Sequence, residues 1–149
     1  MKLISHRGNI CGRESKNENK PDYITNAIDK GFDCEVDIWH QDGLYLGHDN
    51  PAYEIDLDFL LRYHDQLWIH CKDLESLESL SQNEHLNVFW HESDDYTLTS
   101  KGFIWTYPHK KICSKSVIVS NSAKYSKFQN CYGVCSDNLL WKIKHIKNT

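Results

Sequence analysis

The period of apolar and polar positions changes repeatedly along this chain. Runs of about five residues, rich in β-branched and aromatic side chains, alternate with segments whose apolar residues recur at spacing three or four. The first kind predicts strands over Lys2–His6, Phe32–Trp39, Leu44–Gly47, Gln66–Lys72, Asn87–His91, Phe103–Tyr107, Ser116–Ser120 and Cys131–Cys135. The second predicts helices over Pro21–Lys30, Asp56–His64, Asp73–Gln82, Asp94–Ser100, Ser122–Gln129 and Leu139–Ile146. Asn19 is placed to cap the first helix, Pro21 suits its opening turn, and Gly31 can end it in the left-handed conformation. Asp73 is placed to cap the third, where Leu74, Leu77 and Leu80 form an apolar stripe that belongs to the core. Asp42-Gly43 is a hairpin turn signal.

Alternating strands and helices predict an α/β architecture with parallel strands. A doubly wound nucleotide fold wants a glycine-rich turn after its first strand. Here that strand ends in Ser5-His6-Arg7-Gly8-Asn9, a histidine and an arginine in place of a phosphate-cradling loop. Strand ends bearing chemistry are the habit of barrel enzymes. A full barrel takes about 250 residues, and this chain has 149. The expectation is a single domain over 1–149, a reduced or irregular TIM-type (β/α) barrel.

Composition narrows the function without naming it. Seventeen basic and 21 acidic residues leave a net charge of -4, which argues against nucleic-acid binding through bulk charge. No apolar run approaches the roughly 20 residues of a membrane span, and the start turns polar too early for a signal peptide. A cytoplasmic protein is expected. Its six cysteines then read as reduced, mostly buried thiols and not as a disulfide framework.

The candidate chemistry gathers in the first half. Glu35 and Asp37 alternate with Cys34, Val36 and Ile38, so both carboxylates share one strand face. Such a pair repels itself and loses hydration, and a divalent cation relieves both problems. The competing reading is a strand end exposed to water. His6 is a candidate general acid or base, and the forked donors of Arg7 match phosphate. The hairpin after Gln41 brings His48-Asp49 back toward the carboxylates. His70 and Lys72 share a polar face opposite Ile69 and Cys71; a lysine there can offset charge on phosphoryl oxygens, or simply end a strand in water.

Taken together, His6-Arg7-Gly8, Glu18-Asn19, Glu35-Val36-Asp37 and His48-Asp49, in that order, resemble the glycerophosphodiester phosphodiesterase family, relatives of phosphatidylinositol-specific phospholipase C. The likeness is good over the first third and looser to Lys72. Later, Gly133-Val134-Cys135-Ser136-Asp137 resembles the family's last barrel strand, and Phe103-Ile104-Trp105-Thr106 a late strand with an inward tryptophan. The resemblance implies hydrolysis of a small-molecule phosphodiester, such as one arising in lipid metabolism. It implies His6 and His48 as the acid–base pair, with Arg7 and Lys72 on the phosphate and Glu18 bracing the loop around Arg7. It makes Glu35 and Asp37 ligands of a divalent ion, Mg²⁺ or Ca²⁺ first and Mn²⁺ or Zn²⁺ next. The family's third strand usually presents Glu-x-Lys, with that glutamate a ligand. This chain has His70-Cys71-Lys72, so His70 stands in the third ligand position.

Three rivals remain. One is a catalytically weak barrel that binds a phosphorylated ligand or a protein partner, favoured by the short chain and His70. Another is a metal-free relative with arginine in the cation's place, disfavoured by the Glu35–Asp37 pair. The last is a zinc protein, disfavoured by the lack of tight ligand spacing.

Overall fold

A computed structural model describes residues 1–120 and 130–140. The helix expected over Ser122–Gln129 lies outside the described residues, as does all but the start of Leu139–Ile146. The elements in chain order are β1 (Lys2–His6), α1 (Pro21–Asp29), β2 (Asp33–His40), β3 (Leu44–Leu46), β4 (Tyr53–Ile55), α2 (Leu57–Arg62), β5 (Leu67–Cys71), α3 (Leu74–Ser81), β6 (Val88–Phe89), β7 (Tyr96–Leu98), β8 (Ile104–Thr106), β9 (Ser116–Val119) and β10 (Gly133–Ser136).

The strands form one mixed sheet. A parallel run follows the order β6-β5-β2-β1-β10-β9-β8, and β7 adds antiparallel to β8. The β3–β4 hairpin joins β2 at Ile38–His40, beyond the Asp33–Glu35 stretch that pairs with β1. Strand β2 is thus paired on both edges, with β5 along the other side from Cys34 to Ile38.

This corrects the expected barrel. The sheet is open, and among the described residues it carries three short complete helices. Its two ends approach, because the Ser100 N–H donates to the Val88 carbonyl at 2.8 Å and the Val88 N–H donates to Ser100 Oγ at 3.0 Å. No strand pairing joins them. Chain length is the physical reason. A parallel crossover with a helix needs about a dozen residues or more, and the β8–β9 connection has only residues 107–115. The segment expected as a helix over Asp94–Ser100 is instead the edge strand β7, hairpinned to β8.

Local signals explain the elements that do form. The Asp73 carboxylate accepts from the Ser76 N–H at 2.9 Å and caps α3. Leu80 is buried and Leu77 packs on the core, but Leu74 is exposed, so the stripe is shorter than its spacing suggests. Gly31, at φ +85°, ends α1 and donates to the Ile28 carbonyl. Asp42 and Gly43, both at positive φ, turn the chain from β2 into β3. Asn19 is not a cap: α1 begins after Lys20 with no side-chain cap, and Asn19 serves elsewhere, as described below.

The alternating faces of the sheet set up two cores. On the outer face, Cys34, Val36, Ile38, Ile69, Cys71 and Val88 pack with Ile24 of α1, Leu60 of α2 and Leu80 of α3. On the inner face, Ile4, Trp68, Phe89, Trp105, Val117 and Cys135 form a second cluster. Trp68 Nε1 donates to Asp33 Oδ2 at 3.1 Å, and Lys2 pairs with Asp33 at 3.0 Å, so the charge under this cluster is neutralised. Cys34, Cys71 and Cys135 are buried, while Cys131 is half-buried and Cys11 and Cys113 are exposed, so only half fit the expected buried thiols. No helix among the described residues is long and apolar enough to cross a membrane.

Candidate functional site

The inner face opens beyond the aromatic cluster into a cavity of about 400 Å³. His6, Arg7, Glu35, His48, His70 and Lys72 all line it. Asp37 lies just beneath, with no exposed surface. Strand register produces this convergence. His6 is level with Glu35 across β1–β2, and Asp37 is level with His70 across β2–β5.

Asp37 is the hub. Its Oδ2 accepts from the Asn19 side-chain amide at 2.9 Å, and its own N–H donates to Asn19 Oδ1 at 3.0 Å. Arg7 Nε lies 2.8 Å from the same Oδ2, His70 Nδ1 3.1 Å from Oδ1 and Lys72 Nζ 3.8 Å from Oδ1. Burial alone would raise the Asp37 pKa, but the His70 contact and the Arg7 charge hold it well below the usual carboxylate range. Glu35 goes the other way: burial and then the Asp37 charge push its carboxyl up. Its Oε2 is buried and accepts no hydrogen bond.

Arg7 reaches the hub through a turn that costs backbone strain. It sits at φ +57°, followed by Gly8 at φ +92°. A Cβ on Gly8 would collide with the Tyr23 ring, so the His-Arg-Gly turn tolerates nothing larger there. Glu18 braces this turn. It accepts from Arg7 at 3.2 Å, from Asn9 at 3.0 Å and from Arg13 at 3.1 Å. Burial would raise the Glu18 pKa, yet the Asn9 hydrogen bond and the Arg7 charge lower it.

The two histidines differ. His6 Nδ1 bonds Asp137 Oδ1 at 2.8 Å, and its Nε2 faces Glu35 Oε2 at 3.8 Å. Burial would lower the His6 pKa, but the Asp137 hydrogen bond and the Glu35 charge outweigh it and raise the value. His48 is more exposed and bonds Asp49 Oδ1 through Nδ1 at 2.6 Å. The strand–loop geometry behind it is fixed by Gly47, where the N–H donates to the Asp37 carbonyl and a Cβ would collide with the Asn50 carbonyl oxygen.

Sequence reasoning missed three residues. Asp137 was read as part of a strand and has a partner in His6 across 131 positions. Asn9 ties Asp137 to Glu18. Asn19 holds Asp37. The signal for Asn19 was its place before α1, which was read as capping. His91, which ends the strand predicted over Asn87–His91, also lines the cavity. It stacks on His70 at 4.6 Å, and burial, then the charges of His70 and Lys72, bring its pKa down to about 4.

Three ligand atoms of Glu35, Asp37 and His70 lie within 4.8 Å of one another. The donor set fits a divalent ion: two carboxylates, one imidazole, and a buried Glu35 oxygen that accepts no hydrogen bond. No family model, curated protein or solved structure matches this chain. The chemistry is therefore read from the site's own residues.

Proposed function

We propose that this cavity hydrolyses a small phosphodiester with the help of a divalent cation. The observation that carries the reading is the convergence, in one cavity, of two phosphate-matching cations, Arg7 and Lys72, with His6, His48 and a Glu35 carboxylate whose buried Oε2 accepts no hydrogen bond. Glu35, Asp37 and His70 would hold the ion, and when bound it offsets negative charge on a phosphoryl oxygen. Arg7 and Lys72 bind the remaining phosphoryl oxygens. An oxygen nucleophile, water or a hydroxyl of the substrate, attacks phosphorus while the bond to the leaving alcohol breaks. One of His6 and His48 takes the proton from the nucleophile, and the other gives one to the leaving oxygen. Asp137 holds the His6 ring by Nδ1, which aims Nε2 at the cavity.

The likeness of the His-Arg-Gly, Glu-x-Asp and His-Asp motifs to glycerophosphodiester phosphodiesterases supports glycerophosphodiesters as the substrate class. The free thiols Cys11, Cys34, Cys71 and Cys113 support a reducing, cytoplasmic setting. The test is release of alcohol from glycerophosphodiesters and from a chromogenic diester by the purified chain. Hydrolysis that stops in chelator and returns with a divalent ion supports the proposal; no hydrolysis of any diester with any ion contradicts it.

A further inference from the structure

We propose that His70 makes the cation site a nitrogen-bearing one, which holds a borderline divalent ion such as Mn²⁺ or Co²⁺ in preference to Mg²⁺ or Ca²⁺. This rests on the cation-assisted reading above and names the class of ion.

The two ring nitrogens of His70 carry the argument. A carbonyl oxygen can only accept, so the His91 carbonyl, 3.3 Å from Nε2, gives an Nε2–H of His70 its partner. Without an ion, an Nδ1–H donates to Asp37 Oδ1 at 3.1 Å; with the proton on Nε2, the Nδ1 lone pair is free for an ion shared with Asp37 Oδ1 and with Glu35 Oε1, 3.8 Å away. Three candidate ligand atoms then meet on three buried side chains at the floor of the cavity. This is the arrangement of a metal-binding imidazole, whose far N–H is given to a backbone carbonyl.

A separate atom points to the same ligand. Glu35 is 2% exposed, and its Oε2 has no hydrogen-bond partner. A buried carboxylate oxygen in that state is satisfied by a cation or by water. The ring of His70 is also held in place. It packs against Phe89, at 5.2 Å and 3° between planes, and against His91, at 4.6 Å and 12°, and those two rings also touch each other. Its backbone is fixed in register with Asp37 inside the β2–β5 pair.

The ion's class follows from the donors. Carboxylate and water oxygens suit Mg²⁺ and Ca²⁺, whereas imidazole suits later first-row ions. The competing chemistry puts a second proton on Nδ1, so that His70 itself bridges the two carboxylates and no ion is needed.

Titration calorimetry at neutral pH on the full chain separates these. Mn²⁺, Co²⁺, Mg²⁺ and Ca²⁺ are each titrated into wild type, Glu35→Gln and His70→Glu, with circular dichroism to check folding. Wild type is expected to bind Mn²⁺ or Co²⁺ at least about tenfold more tightly than Mg²⁺. Glu35→Gln should abolish that binding, which locates it, and His70→Glu should narrow the ratio by tightening Mg²⁺ and Ca²⁺. If His70→Glu does not fold, His70→Gln replaces it and should weaken Co²⁺ while leaving Mg²⁺ unchanged. Equal wild-type affinity for Mg²⁺ and Mn²⁺, a ratio unmoved by the His70 change, or binding that survives Glu35→Gln overturns the nitrogen-ligand assignment but leaves a cation-assisted diesterase standing. Binding of none of the four ions overturns the assignment and the cation with it; diester hydrolysis in that protein would then rest on the histidines, Arg7 and Lys72 alone.

Discussion

The two sides of the cavity are built from different materials. On the side of β1, β2 and β5, the inner face is charged: His6, Glu35, Asp37, His70 and Lys72 follow one another across three adjacent strands. On the side of β6 and β8, it is aromatic: Phe89 stacks on Trp105 at 4.6 Å, and Tyr107 stands exposed at the rim. The complete helices among the described residues all lie between Pro21 and Ser81 and pack on the outer face of the charged side. The difference shows what each side must achieve. Buried charges repay their desolvation only when partners sit at hydrogen-bonding distance, so they need strands paired on both edges and backed by a core. An aromatic wall gains from area and tolerates looser placement.

That contrast can be broken by experiment, beginning with the largest effect. Chelation should remove diester hydrolysis entirely, because no metal ion then offsets charge on the phosphoryl oxygen; full activity in excess chelator would mean the charged side works without one. Next, His6→Ala or His48→Ala should lower kcat on the order of 100-fold or more, whereas Tyr107→Ala on the opposite rim should change it by only a few-fold. Steady-state kinetics on a confirmed diester compare the sides, and equal losses would erase the distinction between them.

A smaller effect concerns stability. Glu18→Gln should cost about 2 kcal/mol at neutral pH, since hydrogen bonds to charged groups are worth about that much. The sign of its pH dependence follows from the lowered Glu18 pKa. The ionised carboxylate stabilises the fold above its ordinary value of 4.5, and that stabilisation is lost as pH falls through the lower native value. Urea unfolding should therefore show a gap between wild type and Glu18→Gln that closes below that ordinary value. A gap that widens in acid would place the stabilisation elsewhere.

Much of the charged side was legible in the sequence because strand alternation assigns faces directly. Glu-x-Asp and His-x-Lys each place two groups on one side, and Asp42-Gly43 announces the hairpin that returns His48. The aromatic side was harder to read. In β7 the apolar Tyr96 and Leu98 face outward while Thr97 turns in, bonding the Trp90 carbonyl at 3.3 Å. An inverted pattern in three residues offers no inward apolar face, and expected strand–helix alternation filled the gap with a helix. β4, equally short, has no period to detect. Asp137 and Asn9 are small polar residues with no local signature; only the β1–β10 pairing brings Asp137 beside His6. Whether a sheet closes depends on the lengths of its connections, and motif order along the chain does not report them.

A crystal structure of the chain soaked with Mn²⁺ and glycerol phosphate tests the central claim most directly. The account predicts the ion on Glu35, Asp37 and His70, with the phosphate between that ion, Arg7 and Lys72 and within reach of His6 and His48. Phosphate bound away from Arg7 and Lys72, in a crystal whose cavity is open to solvent, would contradict it.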